Sequence, residues 1–203
     1  MNFAPGWIPL VHAAERTTDD YIALSHRWGN LSEAQKTFRT SQSNFSSRQY
    51  GFHVSELPKT FQDAVKVVRA IGLRYLWIDS LYIVQTGDGG IDWRHEVTKM
   101  QDVFSEAYCV IAATAASDSH SGFLDNYTRV ESFRICGASY GEFCISSDVD
   151  NYDEDVSNAT INTRAWVMQE SVLARRTIHF TSNQMYWECG KAVYCENLTR
   201  LKR

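Results

Sequence analysis

The sequence predicts an α/β fold in which a mainly parallel sheet flanked by helices is followed by a β-rich C-terminal extension. Strand-like and helix-like segments alternate over residues 21–114, as parallel strands joined by crossover helices require. Short runs of β-forming residues separated by turns then occupy residues 130–195, which is typical of hairpins. We expect a single domain over residues 21–203, preceded by an N-terminal arm of residues 1–20.

The predicted core begins with a strand, a loop region and a helix. Residues 21–25 (YIALS) form a short apolar run that predicts a buried strand. Residues 30–56 are rich in Ser, Asn and Gln and predict a loop region with one short helix. Thr60 is followed three residues later by Asp63, which resembles a capping box and predicts an amphipathic helix that ends at Gly72.

Two strands and a second helix complete the predicted core. Residues 75–84 (YLWIDSLYIV) are dense in β-forming residues and predict a strand buried on both faces. After the turn-rich residues 86–90 (TGDGG), Asp92 is a good N-cap for a helix whose apolar stripe extends to Ala107. Residues 108–113 predict the next strand.

The extension is predicted to contain two hairpins that flank a helix. The first hairpin pairs residues 134–136 with 142–146, the helix covers residues 163–174, and the second hairpin pairs residues 176–180 with 184–188. We find no internal repeat and no linker-like segment that would divide the chain into two domains.

Composition and charge disfavour several classes of function. The chain has 20 Lys plus Arg against 24 Asp plus Glu, and its basic residues are dispersed rather than gathered in a stripe suited to nucleic acid. Because it shows neither an apolar run of ~20 residues nor a signal-peptide pattern, we expect a cytoplasmic protein without a membrane segment. Five cysteines without CxxC spacing predict reduced thiols and no metal site. The nucleotide signatures GxGxxG after a strand and GxxxxGKS/T are also missing.

Four segments carry a resemblance to a known family. They are residues 21–29 (YIALSHRWG), 57–64 (LPKTFQDA) with 75–85 (YLWIDSLYIVQ), 92–100 (DWRHEVTKM) and 163–170 (TRAWVMQE). Their order and content resemble the HET domain, the heterokaryon-incompatibility domain of filamentous fungi. The family strand usually reads WIDSLCI, and Tyr82 here replaces its Cys, so that Cys is not an obligatory nucleophile in this chain. The first motif commonly reads SYCWG, whereas this chain has His26 and Arg27 in place of Tyr and Cys.

The resemblance implies a function in fungal innate immunity and programmed cell death. HET domains act as cell-death effectors when incompatible fungal cells fuse, and they have been viewed as distant relatives of TIR domains, many of which cleave NAD+. The resemblance therefore implies a TIR-like fold and an NAD+ glycohydrolase, active as a homo-oligomer, that uses NAD+ as a substrate and requires no cofactor. Its products would be nicotinamide and ADP-ribose or a cyclic form. The main alternative is a non-catalytic death-signalling module that self-associates; the scattered basic residues disfavour a nuclease.

Under this resemblance the expected catalytic group is a glutamate, because a carboxylate stabilises an oxocarbenium-like ribose. Glu96 is the first candidate, since it follows the loop at the carboxyl end of the second strand and lies in the helix that Asp92 is predicted to cap. The alternative role for Glu96 is that of a capping acid on a solvated face. Glu170 is the second candidate, although it is also suited to a structural salt bridge with Arg164.

Seven residues are predicted to bind the substrate. They are Ser25, His26, Arg27, Trp28, Gly29, Asp79 and Trp93. Arg27 is suited to a pyrophosphate, the two tryptophans to the rings, and Asp79 to a ribose hydroxyl. Gly29 would let the backbone approach the ligand closely. The open alternatives are a surface charge for Arg27, packing for the tryptophans and loop organisation for Asp79.

Overall fold

A computed structural model describes the fold over residues 6–11, 19–126, 132–137, 141–146, 151–163, 170 and 172–201. The strands in these residues are β1 (Trp7–Ile8), β2 (Tyr21–Ser25), β3 (Phe52–His53), β4 (Tyr75–Trp77), β5 (Cys109–Ala112), β6 (Ser132–Gly137), β7 (Gly141–Ser146), β8 (Arg176–Phe180), β9 (Met185–Cys189), β10 (Ala192–Cys195) and β11 (Arg200–Leu201). The α-helices are α1 (Phe45–Tyr50), α2 (Lys59–Ile71), α3 (Asp79–Tyr82), α4 (Ile91–Val97) and α5 (Met100–Glu106). Shorter helical turns lie at Glu33–Lys36, Val54–Glu56, Asp153–Ser157 and Thr160–Thr163.

Seven strands form one mixed sheet in the order β4-β2-β5-β8-β9-β10-β11. The first four are parallel to one another, whereas β8, β9, β10 and β11 are joined by antiparallel pairings. The expectation of a mainly parallel sheet is therefore correct for only one half of it. The other half is antiparallel because the turns after β8 are short, and short turns join only antiparallel neighbours. The β-rich extension continues the core sheet through β8 beside β5.

Helices cover both faces of the parallel half. Alternate residues of a strand point to opposite faces of its sheet. Ile22 and Leu24 of β2 belong to a buried cluster that includes Phe61 of α2. Ala23, between them, belongs to a second cluster that includes Phe104 of α5. The parallel strands are thus buried on both faces, with α2 on one side and α5 on the other.

The predicted helix after Pro58 is confirmed as α2, but its predicted capping box is wrong. Pro58 occupies the N-cap position without a side-chain cap. The Thr60 hydroxyl instead donates to the carbonyl of Asp118 at 2.9 Å and accepts from the amide of Gly122 at 3.1 Å. The side chain expected to cap the helix therefore attaches it to the loop after β5.

The predicted strand over residues 75–84 is too long. Strand β4 ends at Trp77, Ile78 is still extended, and Asp79 begins the single helical turn of α3. The Asp79 carboxylate accepts a hydrogen bond from the Ser80 amide at 2.6 Å, which satisfies a backbone donor at the start of this turn. A local polar contact thus ends the strand despite the β-forming residues that follow.

The single helix predicted from Asp92 is two helices, α4 and α5. Gly90 is the N-cap of α4, and the Asp92 carboxylate accepts from the amide of Val84 at 2.8 Å. The break follows α4, where the Thr98 hydroxyl donates to the carbonyl of His95 at 2.8 Å. Such a bond competes with the helical backbone ladder at the point of the break.

Both predicted hairpins are confirmed, as β6 with β7 and β8 with β9. The loop region over residues 30–56 contains α1, β3 and two short turns, and β3 pairs with β1 of the N-terminal arm. Most of the helix predicted over residues 163–174 lies outside the described residues, with Arg164, which was expected to pair with Glu170, among them. Among the described helices, none has the length and apolar character needed to span a bilayer.

Candidate functional site

A cleft of about 350 Å³ lies beyond the carboxyl ends of β2 and β4. Because these strands are parallel, the loops that follow them meet at one edge of the sheet, which is where open α/β sheets bind ligands. The described lining comprises two indoles, two carboxylates, one amide and three apolar side chains: Trp28, Trp93, Asp79, Glu170, Gln85, Ile83, Val97 and Met100. Four residues predicted from the sequence, namely both indoles and both carboxylates, therefore share this cleft.

Asp79 holds Trp28 in the wall of the cleft. The indole nitrogen of Trp28 donates to Asp79 Oδ2 at 2.9 Å, while Asp79 Oδ1 accepts from the amide of Ser80 at 2.6 Å. A carboxylate that accepts bonds from two sides has little freedom to rotate. Asp79 therefore lines the cleft and organises its loops, while its binding of a ribose hydroxyl stays a prediction.

Glu170 is a buried carboxylate in the same wall. It is 5% exposed, and its Oε2 accepts a hydrogen bond of 2.5 Å from the hydroxyl of Ser25, which is 4% exposed. Ser25 is the last residue of β2, so this bond fixes Glu170 to the end of the central parallel strands. In its ionised form, a carboxylate in such a low-dielectric position acts strongly on any positive charge that develops nearby.

A smaller cavity of about 20 Å³ lies beside Glu170 and brings polar groups of the extension towards the site. Ser25, Thr177 and His179 are among the residues around it. His179 Nε2 lies 2.9 Å from Glu188 Oε2, which also accepts a 2.7 Å hydrogen bond from the Tyr152 hydroxyl. Of these residues, only Ser25 was predicted from the sequence to belong to the site. The available signal was His179, a histidine between the apolar residues Ile178 and Phe180.

Glu96 is absent from the described residues that line the cleft. Its neighbours on α4, Trp93 and Val97, face the cleft instead. The Glu96 carboxylate is ion-paired with Lys99 Nζ at 2.9 Å and lies 3.0 Å from His95 Nδ1. The structure thus brings Trp93, rather than Glu96, from this helix into the cleft.

The negative charge of Glu96 acts on the pKa of the nearby Tyr82. Burial raises the pKa of Tyr82, and the nearby negative charge of Glu96 raises it further.

Asp92, His95 and Glu96 each offer a potential metal-ligand atom within 4.8 Å of the others. A cation bound there would compete with the ammonium group of Lys99 for the Glu96 carboxylate.

The other residues predicted at the end of β2 lie outside the described lining of the cleft. His26 is 1% exposed, and its ring lies edge-on to Phe61 with centroids 4.8 Å apart. Gly29 has φ +78°, and a β-carbon at this position would lie 2.3 Å from Cβ of Asp118. The close approach at Gly29 is therefore to another loop of this chain. Arg27 is partly exposed and does not belong to the described cleft lining.

Comparisons with known proteins identify the family. Searches of curated proteins and of solved structures give no match. The family model described as "Heterokaryon incompatibility protein (HET)" matches residues 21–170. This range begins at β2, ends at Glu170 and includes every described residue that lines the cleft. The chain therefore belongs to the heterokaryon incompatibility (HET) family, and a role related to heterokaryon incompatibility follows from that membership.

Proposed function

We propose that this protein is a cell-death effector that hydrolyses NAD+ in the cleft, with Glu170 as the carboxylate that stabilises the transition state. The observation that carries the proposal is the position of Glu170, buried in the wall of a cleft whose lining also contains two indole rings. Nicotinamide and ADP-ribose, or its cyclic form, are the products. Because such effectors are regulated by assembly, we expect activity to increase when copies of the chain self-associate.

The reaction places specific demands on the carboxylate. Cleavage of the bond between nicotinamide and ribose releases a neutral ring and transfers positive charge to the sugar. A fixed carboxylate near the sugar lowers the energy of this oxocarbenium-like state more than that of the bound substrate. Glu170 suits this role because its bond to Ser25 holds it in place and its burial limits screening by water.

The indoles suit the nicotinamide ring. Trp28 is held by Asp79, and Trp93 is 44% exposed at the mouth of the cleft. The oxidised nicotinamide ring is cationic, so an indole face attracts it by a cation–π interaction as well as by stacking. The released ring is neutral and loses the cation–π component. We therefore expect these residues to bind substrate more tightly than the nicotinamide product.

The first prediction compares the two candidate glutamates. We expect Glu170→Gln to reduce nicotinamide release from NAD+ by about 100-fold or more, as loss of one preorganised electrostatic contact commonly does. The amide oxygen of Gln can still accept the Ser25 hydrogen bond, so the fold should be preserved. Glu96→Gln is the matched variant and should keep most of the activity. The assay uses concentrated protein and follows nicotinamide by chromatography, with circular dichroism as the control for folding.

Two outcomes would contradict this assignment. Full turnover by Glu170→Gln would exclude its carboxylate as the catalytic group, and loss of turnover in Glu96→Gln alone would return the role to Glu96. A cell-death response that survives Glu170→Gln would favour the alternative of a signalling module that acts by self-association. The exposed apolar side chains of Ile91 (67%) and Trp93 (44%) give that alternative a possible contact surface.

A further inference from the structure

Arg39 places a positive charge next to the cleft. Its guanidinium carbon lies 5.5 Å from the ring centroid of Trp28, which forms part of the cleft wall. Within the described part of the chain, Arg39 forms no ion pair. The hydrogen bond from Lys36 lowers the pKa of Glu33, and the charge of Arg39 lowers it further. The Glu33 carboxylate is exposed and is ion-paired with Lys36 at 2.7 Å. The guanidinium donors of Arg39 are therefore available to an anion.

The backbone beside Arg39 is fixed to the segment that supplies the cleft. Thr40 is fully buried, and its amide donates to the carbonyl of Ser80 at 3.0 Å. The Thr40 hydroxyl donates to the carbonyl of Leu81 at 2.5 Å, and its own carbonyl accepts from the amide of Gln85 at 2.8 Å. These bonds fix the backbone next to Arg39 relative to α3. The Arg39 side chain therefore extends from a fixed point and lies over the ring of Trp28.

The charges of the cleft and of Arg39 have opposite signs. Asp79 and Glu170 place carboxylates in the cleft wall, which favours a cationic or hydroxylated group there and disfavours a phosphate. Arg39 places a cation beside Trp28, outside the described lining. A ligand that carries a cationic ring at one end and phosphate beyond its sugar matches this arrangement in one orientation only.

We infer that Arg39 forms a phosphate subsite beside Trp28, which binds the pyrophosphate of a dinucleotide whose nicotinamide riboside end occupies the cleft. This inference rests on the proposed function for the identity of the ligand. A planar guanidinium suits phosphate because it can donate two parallel hydrogen bonds to its oxygens. Arg39 thereby selects phosphorylated ligands over the corresponding nucleosides.

Isothermal titration with three probes tests the inference. The probes are nicotinamide riboside, nicotinamide mononucleotide and ADP-ribose, of which only the first lacks phosphate. Loss of charge-assisted bonds predicts that Arg39→Gln weakens binding of both phosphorylated probes about tenfold or more. Binding of the riboside should stay within about twofold of wild type, because no phosphate contact is lost. Arg39→Lys, which keeps the charge, should recover part of the loss.

Arg74→Gln is a matched control. Arg74 also lies over an aromatic ring, with its guanidinium carbon 5.8 Å from the centroid of Tyr75. It precedes β4, however, and so lies at the amino end of this strand, away from the cleft at the carboxyl end. This substitution removes the same charge and should leave the binding of all three probes unchanged. An equal weakening by Arg74→Gln and Arg39→Gln would show only a general effect of net charge and would overturn the subsite.

The remaining outcomes separate this inference from the proposed function. If Arg39→Gln weakens all three probes equally, Arg39 only holds Trp28 in position and the phosphate subsite is wrong. Failure of the wild-type protein to bind either phosphorylated probe also overturns it. If phosphate-dependent binding is found but concentrated protein releases no nicotinamide, the subsite stands and the hydrolase proposal falls.

Discussion

Asp63 is a residue whose role depends on complete burial. Its side chain has no exposed surface and accepts hydrogen bonds from Lys59, Lys66 and the backbone amides of Phe123 and Leu124. Burial acts to raise its pKa, but the hydrogen bond from Lys59 and those from the other donors outweigh it and lower the pKa below the ordinary value. The ionised carboxylate thereby joins α2 to the loop after β5.

We predict that Asp63→Asn lowers the free energy of unfolding by about 2 kcal/mol or more at neutral pH, because it leaves buried donors poorly satisfied. Since folding lowers the pKa of Asp63, the folded state binds fewer protons than the unfolded chain. Its contribution is therefore present above the ordinary pKa of about 3.9 and is lost as the pH falls through the lower folded value. Urea denaturation should show a smaller difference between variant and wild type at about pH 3 than at neutral pH.

Asp125 gives the control for this prediction. It also binds Lys59, at 2.8 Å, but its side chain is 77% exposed. Exposed ion pairs contribute little, so Asp125→Asn should leave the urea midpoint nearly unchanged. If the two substitutions destabilise the protein equally, the number of lysine contacts rather than burial determines the effect, and the interpretation of Asp63 is wrong.

At the scale of elements, the sequence correctly predicts the helices and hairpins that short-range patterns of residues determine. The α2 helix and the hairpin of β8 and β9 follow from apolar periodicity and turn residues, and both are present. The predicted strand over residues 75–84 fails because Asp79 accepts from the amide of Ser80 and starts a helical turn. The predicted capping role of Thr60 fails because a distant loop uses its hydroxyl. In both cases a particular hydrogen bond overrides the local propensity.

Two glycines allow the cost of a close contact between loops to be measured. Gly29 and Gly72 both have positive φ, +78° and +88°, but only Gly29 would bring a β-carbon against Asp118. We predict that Gly72→Ala costs about 1–2 kcal/mol from backbone strain alone. Gly29→Ala should cost at least about 1 kcal/mol more because the loops must separate. Chemical denaturation of both variants measures the difference, and equal losses would show that the contact with Asp118 relaxes freely.

At the scale of the whole molecule, the cleft is assembled from distant parts of the chain. Parallel strands predict that Trp28, which follows β2, lies at the carboxyl edge of the sheet, and it lines the cleft. Asp79 lines the cleft as well because β4 ends at Trp77 rather than at residue 84. The same pattern does not predict whether Glu96 or Glu170 lines the cleft. That outcome depends on the rotation of α4, which directs Trp93 to the cleft, and on a hydrogen bond between Ser25 and Glu170 across 145 positions. Neither leaves a periodic signal in the sequence.

The C-terminal extension stabilises the strands beneath the cleft, because its strand β8 pairs with β5. Val110, Ile111 and Ala112 pair with β8, and His179 of that strand lies at the small cavity beside Glu170. The family match ends at Glu170, before β8 begins. A chain that ends at residue 175 would therefore contain the whole matched range but leave β5 as an unpaired edge with buried residues exposed.

We accordingly predict that a chain of residues 1–175 fails to fold, whereas a chain of residues 1–198 folds and keeps the proposed NAD+ hydrolysis. The shorter chain loses the pairing of β5 with β8, whereas the longer one loses only β11 at the outer edge of the sheet. Cooperative thermal unfolding followed by circular dichroism distinguishes the two, and nicotinamide release reports on the cleft. Cooperative unfolding of the 1–175 chain near the wild-type temperature would mean that the antiparallel half is dispensable. Stability would then reside in the segment that the family model matches.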